Sequence, residues 1–239
     1  MNSYFQFKQF IVHQDKTAMK VCTDASLFGA WVASKLEKEK ILPQNILDIG
    51  CGTGLLSLML AQKTTAMIDA VEINEDAFLQ AKENIALSTW KESINIFNED
   101  ISEYTSQKKY DVIICNPPFF VNQLKTDNAD RNAAMHATEL SFSALSTAIK
   151  NSLSNDGVAA ILLPHNIVNE FVEILKKDKL HLIEQLKISH SPSHPLFRSI
   201  LLFALNEKQM INNSISIRDN NNEYSAEFKR LLSDYYLHL

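Results

Sequence analysis

The sequence predicts an α/β fold with a mainly parallel sheet, and three observations support that prediction. From residue 45 onward, short runs rich in β-branched residues alternate with helical stretches, which is the pattern of crossover connections between parallel strands. Only a loop with two prolines separates the last two predicted strands, 180–189 and 199–206, so we expect that pair to be antiparallel. The length of 239 residues is compatible with one large domain or two small ones.

Hydrophobic periodicity predicts the elements in chain order. Segment 1–44 mixes strand-like and helical cues and contains a helix over 25–40, with Asp24 as a candidate N-cap. Segment 45–206 forms the core, with strands expected over 45–50, 67–73, 94–97, 110–115 and 158–163 and helices over 55–62, 75–87, 140–153 and 167–177. Segment 207–239 contains a short strand-like run over 214–218 and a terminal amphipathic helix over 225–237. We treat all three segments as parts of one domain, 1–239.

Composition excludes several classes of protein. Three separated cysteines, Cys22, Cys51 and Cys115, form no CxxC pair, which argues against a disulfide framework or a zinc site and favours a reduced, cytoplasmic setting. We expect no metal. No apolar run approaches the ~20 residues of a membrane span, and the N-terminus lacks a signal-peptide pattern. We therefore expect no membrane partner.

A glycine-rich turn, Asp48 to Gly54, follows the first core strand and opens a helix. Gly50, Gly52 and Gly54 permit a sharp turn and the close approach of a ligand. Glu72 ends the next strand 24 positions after Asp48, where a carboxylate can accept hydrogen bonds from ribose hydroxyls. The GxGxG spacing differs from the GxGxxG of dinucleotide sites, and a tight turn without any ligand is the alternative interpretation.

A second motif, Asn116-Pro117-Pro118-Phe119, directly follows the strand over 110–115. Prolines remove N–H donors, so the carbonyl oxygens and the Asn116 amide oxygen are left as acceptors for a planar NH2 group. Phe119 or Phe120 is positioned to stack on a base. The alternative is a rigid turn whose phenylalanines belong to the core.

The glycine-rich turn, Glu72 and Asp100 together resemble the S-adenosylmethionine site of class I methyltransferases. The resemblance implies a Rossmann-like seven-stranded sheet with one antiparallel strand at its edge and helices on both faces. It also implies S-adenosylmethionine as cofactor, with the three glycines at the methionine part, Glu72 at the ribose, and Asp100 and Ile101 at the adenine. Asp48, Ile73 and Asn116 complete the expected cofactor contacts.

The Asn-Pro-Pro-Phe motif resembles the (D/N)PP(Y/F) element of methyltransferases that act on planar nitrogens. Together with residues 7–31, 131–136 and 216–237, it makes nearly the whole chain similar to the bacterial tRNA1(Val) adenine-37 N6-methyltransferases. This likeness implies a tRNA substrate, with Lys20 and Thr23 near the methionine end of the cofactor and Arg131, His136 and Arg198 contacting RNA. Met135 departs from the family's RxxARH-type loop, where Arg is common, so one basic contact is absent or replaced.

The net charge of −5 at first argues against an RNA partner. However, nine acids and two lysines lie within residues 69–103, which leaves a slightly basic remainder. We expect a monomer. Methylation of another RNA, of DNA or of a protein glutamine stays open, because those enzymes share the catalytic residues, and a non-catalytic binding module is the more remote alternative.

Overall fold

The computed structural model describes residues 2–17, 19–118 and 141–239. Within these ranges the strands are β1 (Tyr4–Gln6), β2 (Ile11–His13), β3 (Asn45–Ile49), β4 (Met67–Val71), β5 (Ile94–Phe97), β6 (Tyr110–Cys115), β7 (Leu153–Pro164), β8 (His181–Ser189), β9 (Leu196–Ala204) and β10 (Ile211–Ser216). The α-helices are α1 (Thr23–Lys38), α2 (Leu55–Ala61), α3 (Glu75–Ala86), α4 (Phe142–Ser152), α5 (Val168–Lys177) and α6 (Ala226–Leu232). A short 3-10 helix, His165–Ile167, precedes α5.

One eight-stranded sheet organises the molecule, in the order β10-β8-β9-β7-β6-β3-β4-β5. Neighbouring strands are parallel except where β9 pairs with β7 and with β8. The predicted α/β class and the mainly parallel sheet are confirmed, as is the antiparallel pairing of the last two core strands.

Two details of the predicted sheet are wrong. Counted over the described ranges, the sheet has eight strands rather than seven, because β10 from the C-terminal segment pairs with β8. The antiparallel strand β9 lies inside the sheet rather than at its edge. After the crossover through α5, strand β8 lies two positions from β7 in the sheet. The chain then reverses, and β9 occupies the position between β8 and β7.

Helices cover both faces of the sheet, which explains why the central strands β3, β4 and β6 are buried along most of their length. Ile46 on β3 packs in the cluster that contains α1, α2, α3 and α6. Leu47, its neighbour in sequence, packs in the opposite cluster with residues of α4 and α5. No helix within the described residues is long and apolar enough to cross a membrane.

Several element boundaries differ from the prediction. Helix α1 begins at Thr23, and Cys22 rather than Asp24 is its N-cap, without a side-chain cap. The Asp24 carboxylate instead accepts a hydrogen bond from Arg198 Nε at 2.9 Å, a partner 174 positions away that no local pattern reveals. The terminal helix spans Ala226–Leu232, with Ser225 accepting the N-cap hydrogen bond from Phe228.

Candidate active site

The carboxyl ends of β3, β4 and β6 meet at one edge of the sheet, because these strands are parallel and adjacent. This arrangement brings the glycine-rich turn, Glu72 and Asn116 to the same edge. Ligands of open α/β sheets bind in the crevice outside these strand ends. The topology therefore brings together the residues that the two sequence motifs singled out.

The glycine-rich turn adopts a backbone that favours glycine. Gly50, Gly52 and Gly54 have φ angles of +67°, +56° and +79°, in the region that L side chains rarely adopt. A Cβ added at Gly50 or at Gly52 would meet no atom within 4 Å. The turn thus presents bare backbone to open space, as a site that accepts a ligand against its main chain requires.

Glu72 holds this turn in place. Its carboxylate accepts hydrogen bonds from the N–H of Gly52 at 2.8 Å and from the N–H of Asn74 at 2.9 Å. The side chain is buried. A carboxylate offers about four lone-pair sites, so both backbone bonds are compatible with the ribose contact, which stays a prediction.

Asp48 is a buried carboxylate with one satisfied and one unsatisfied oxygen. Its Oδ2 accepts hydrogen bonds from the N–H and hydroxyl of Ser57 at 3.1 and 2.7 Å, whereas Oδ1 has no partner among the described residues. Burial raises the pKa of Asp48 to about 7, the Ser57 hydrogen bonds oppose this, and the charge of Glu72 adds to it. A ligand that brings a positive charge or an N–H donor would favour the ionised form.

Asn116 presents a second acceptor of this kind. Its Oδ1 is buried without a hydrogen-bond partner among the described residues. Pro117 is buried and Pro118 is exposed, and neither contributes an N–H donor. Among the described residues, three buried side-chain oxygens lack a hydrogen-bond partner: Asp48 Oδ1, Gln62 Oε1 and Asn116 Oδ1. Two of the three such oxygens thus belong to residues predicted for this site.

These features fit S-adenosylmethionine. Open backbone at the glycines suits the close approach of a ligand, and two neighbouring buried carboxylates, Asp48 and Glu72, suit a cation. Burial raises the pKa of the Cys51 and Cys115 thiols well above the ordinary value, so both stay protonated. The described site therefore contains no thiolate nucleophile, and its distinctive groups are the hydrogen-bond acceptors Asp48 Oδ1 and Asn116 Oδ1.

The expected adenine contacts lie beyond the next strand, β5. Asp100 Oδ1 accepts hydrogen bonds from the N–H and hydroxyl of Ser102, both at 2.8 Å. Ile101 is buried, whereas Ile73, after β4, is 55% exposed. The Asp100 carboxylate thus orders its own turn, and its contact with adenine stays a prediction.

Sequence reasoning missed a residue that positions the turn. The buried Asn84 side chain on α3 donates to the carbonyls of Thr53 and His13, both at 2.9 Å, and accepts from the His13 N–H at 2.9 Å. It therefore links the glycine-rich turn to the β1–β2 hairpin. Two amides, Gln80 and Asn84, on the otherwise apolar face of α3 were the available signal in the sequence, and they do not identify these partners.

The remaining predicted site residues are not joined to the glycine-rich turn by contacts within the described structure. Lys20 Nζ lies 3.4 Å from the carbonyl oxygens of Asn2 and Gln14. Thr23 and Arg198 lie farther along the carboxyl edge, where the Arg198 guanidinium lies 5.6 Å from the Phe197 ring centroid. Predictions for Phe119, Phe120, Arg131 and His136 lie outside the described residues.

Solved structures of methyltransferases share this fold. A predicted O-methyltransferase from Agrobacterium tumefaciens matches with a TM-score of 0.66 at 14% identity, over 88% of this chain and 96% of that chain. A glycopeptide N-methyltransferase solved with S-adenosylmethionine matches with a TM-score of 0.55 at 11% identity, over 74% of this chain and 94% of that chain. At these identities, the likeness shows the fold alone.

Sequence relatives are more specific. The methyltransferase small domain family matches residues 29–140. A tRNA1(Val) (adenine(37)-N6)-methyltransferase from Phocaeicola vulgatus is 37% identical over 238 residues, covering 100% of this chain and 99% of that protein. One from Dyadobacter fermentans is 40% identical over 244 residues, covering 99% of this chain and 98% of that protein. Identity at this level over the whole length shows that the chain belongs to the tRNA1(Val) (adenine(37)-N6)-methyltransferase family.

Proposed function

We propose that this protein transfers a methyl group from S-adenosylmethionine to the N6 amino group of adenine 37 in tRNA1(Val). The observation that carries the proposal is the buried Oδ1 of Asn116, directly after β6, which has no hydrogen-bond partner among the residues that the structure describes. An acceptor in that state favours a ligand with an N–H donor, and a nucleobase amino group provides two. The full-length relatives indicate which base and which RNA.

Asn116 and Pro117 bind the reacting amine in this proposal. The lone pair of an adenine amino group is delocalised into the ring, which makes the nitrogen a poor nucleophile. Acceptors from the Asn116 amide and the Pro117 carbonyl hold its two hydrogens out of the ideal plane and favour a more tetrahedral nitrogen. Positioning and electrostatics then provide most of the rate.

No strong base has to act before the attack. The nitrogen becomes cationic as it forms the new bond, its proton is then acidic, and the proton leaves afterwards. A neutral acceptor such as Asn116 is sufficient for this sequence of events. Pro118 stiffens the loop, and Phe119 or Phe120 stacks on the adenine.

The cofactor supplies an electrophilic sulfonium methyl group when bound. We propose that Asp48, Gly50, Gly52 and Gly54 hold its methionine part and that Glu72 holds its ribose. Ile73, Asp100 and Ile101 form the adenine side, while Lys20, Thr23 and Asn116 approach the methionine end. The raised pKa of Asp48 and its unpartnered Oδ1 support the placement of a cationic group beside it.

For the RNA, we propose contacts from Arg131, His136 and Arg198, with Asp24 positioning the Arg198 guanidinium. The anticodon loop is partly unstacked, so moving its base into the site costs less than it would in a duplex, on the order of a few kcal/mol. We propose that the protein acts as a monomer in the cytoplasm and that 1–44, 45–206 and 207–239 form one domain. Free cysteines, Cys22, Cys51 and Cys115, are consistent with a reducing compartment.

The decisive experiment is transfer of labelled methyl from S-adenosylmethionine to total tRNA from a strain that lacks this gene, followed by nucleoside analysis. We expect N6-methyladenosine at position 37 of tRNA1(Val). Cofactor bound without any labelled tRNA would contradict the proposal and favour ribosomal RNA, DNA or a protein amide as substrate. Absence of both binding and transfer would favour the non-catalytic alternative.

Asn116→Ala tests the catalytic assignment. Since it removes an acceptor used on the amine, we expect transfer to fall by about 100-fold or more, while the Kd for S-adenosylmethionine, measured by calorimetry, changes little. Asn155→Ala, an exposed amide near the start of β7, is the matched control and is expected to keep wild-type activity. Loss of cofactor binding in Asn116→Ala would mean that Asn116 acts mainly on the cofactor rather than on the amine, and would contradict the catalytic assignment.

A further inference from the structure

We infer that a small cavity beside β8 and β10 binds an unpaired nucleotide of the tRNA, distinct from the adenine that is methylated. His190, Phe197, Arg218 and Tyr224 line this cavity, which measures about 280 Å³. This volume lies just below the range of about 300–1,000 Å³ that is typical of ligand pockets, so the cavity suits a small ligand such as one base with its phosphate. The inference rests on the proposed function, because it names a second subsite for the same RNA.

The cavity opens at the same edge of the sheet as Asn116. Strands β8 and β10 run parallel to β7 and β6 and end at this edge, and the antiparallel β9 begins there. Strand β8 is three positions from β6 in the sheet, which at about 4.8 Å per strand is roughly 14 Å. A base that is bound at Asn116 cannot also occupy this cavity at that distance. Another nucleotide of the same RNA chain can reach it.

Flat side chains form the walls. The His190 ring stacks on Phe197 with centroids 3.9 Å apart and planes at 8°. The Arg218 guanidinium lies 4.9 Å from the centroid of the Tyr224 ring. Unpaired RNA bases are recognised by stacking on aromatic rings and guanidinium planes, so the cavity offers the surfaces that a splayed base requires.

The charges also favour RNA. The Arg218 guanidinium joins no ion pair within the part of the chain that the structure describes, and it donates a hydrogen bond to the Asn222 carbonyl at 2.6 Å. The carboxylate that lines the cavity, Asp24, is already paired with Arg198. The Asp219 carboxylate accepts from two backbone N–H groups of its own loop. Arg218 is therefore the cation best placed for a phosphate.

The two loops that carry these residues are fixed to each other. The Arg218 N–H donates to the His190 carbonyl at 2.8 Å, and a backbone bridge joins Arg218 to Tyr224. Tyr224 in turn stacks on the buried Phe228, with centroids 4.7 Å apart. The walls are thus held in position before RNA arrives, which reduces the ordering cost of binding.

Four variants of the full-length protein test this inference. Arg218→Ala removes the phosphate contact, and His190→Ala removes one stacking ring from an exposed position. His190→Phe keeps an aromatic ring. Arg230→Ala is the matched control for Arg218→Ala, because Arg230 also belongs to the C-terminal segment but lines a different cavity, with Trp31 and Lys35.

We expect Arg218→Ala and His190→Ala each to raise the KM for tRNA about tenfold, with kcat and the Kd for S-adenosylmethionine unchanged. His190→Phe and Arg230→Ala should stay close to wild type. Loss of one phosphate contact should also reduce the slope of log affinity against log salt by about one in Arg218→Ala.

Unchanged KM values for tRNA in both Arg218→Ala and His190→Ala would overturn the inference, as would a parallel rise in Arg230→Ala. If these variants methylate tRNA as efficiently as an active wild-type enzyme, the inference fails while the proposed function holds. If the wild-type enzyme methylates no tRNA, the proposed function itself fails.

Discussion

The buried carboxylate of Asp48 leads us to expect that the stability of the protein falls as the pH rises through the neutral range. Its pKa is raised from the ordinary 3.8 to about 7, mainly by burial. Between these two values, the folded protein holds a proton on Asp48 that the unfolded chain has released. Folding therefore takes up a proton in this window, and the contribution of Asp48 to the free energy of unfolding falls as the pH rises.

The magnitude follows from the two pKa values. At 1.36 kcal/mol per pKa unit, the difference between 3.8 and about 7 corresponds to about 4 kcal/mol of destabilisation above pH 7. Below pH 4 the cost is absent. Between pH 5 and pH 8, Asp48 is expected to lower the free energy of unfolding by about 3 kcal/mol.

Asp48→Asn isolates this effect. Its amide oxygen can still accept from Ser57, but it carries no charge at any pH. Urea denaturation of both proteins between pH 5 and pH 8 gives the difference in the free energy of unfolding, from which titrating groups that do not interact with Asp48 cancel. This difference should shift by about 3 kcal/mol in favour of the variant as the pH rises.

Asp156→Asn is the matched control, because Asp156 is exposed near the start of β7. Its difference from wild type should stay constant over the same pH range. A constant difference for Asp48→Asn, or one that shifts in favour of the wild type, would refute the reasoning. Weaker binding of S-adenosylmethionine by Asp48→Asn would connect the destabilising charge with cofactor binding.

Two further variants test the turn and its support. Gly52→Ala forces an L residue to φ +56°, at about 1–2 kcal/mol, and places a methyl group in the open space of the site, so calorimetry should show cofactor affinity at least about tenfold lower. Gly29→Ala is the control, because its Cβ would lie 2.7 Å from Met59 Sδ and should lower stability without lowering cofactor affinity. Equal cofactor affinities in the two variants would contradict the assignment of Gly52 to the cofactor site. Asn84→Ala should cost about 2 kcal/mol and accelerate amide hydrogen exchange at His13, and unchanged exchange there would remove its positioning role.

Strands rich in β-branched and aromatic residues were predicted best. The bounds of β5 and β6 agree with the predicted 94–97 and 110–115, because such residues predominate in both. Strand β10, in contrast, has four exposed residues at its start. An edge strand of this kind carries little periodicity, so only its second half was predicted.

The candidate site likewise has features that the sequence predicts and features that it does not. Glycine spacing and the Asn-Pro-Pro motif indicate which residues meet at the sheet edge, because parallel strands have a fixed direction. Local patterns do not indicate which donors those residues meet. The bonds from Ser57 to Asp48 and from Asn84 to Thr53 connect residues 9 and 31 positions apart, and they depend on how helices dock on the sheet.

We propose that two buried acceptors, Asp48 Oδ1 and Asn116 Oδ1, which have no partner among the described residues, serve different tasks in the site. Asp48 bears an ionisable group whose charge is costly when buried, and such a group favours a permanently cationic ligand that offsets this cost. Asn116 bears a neutral amide, which in this proposal orients an amino group without a charge of its own. With a charged acceptor for the methyl donor and a neutral acceptor for the amine, the proposal separates two tasks of methyl transfer: holding a cation, and shaping a nitrogen lone pair before its proton leaves.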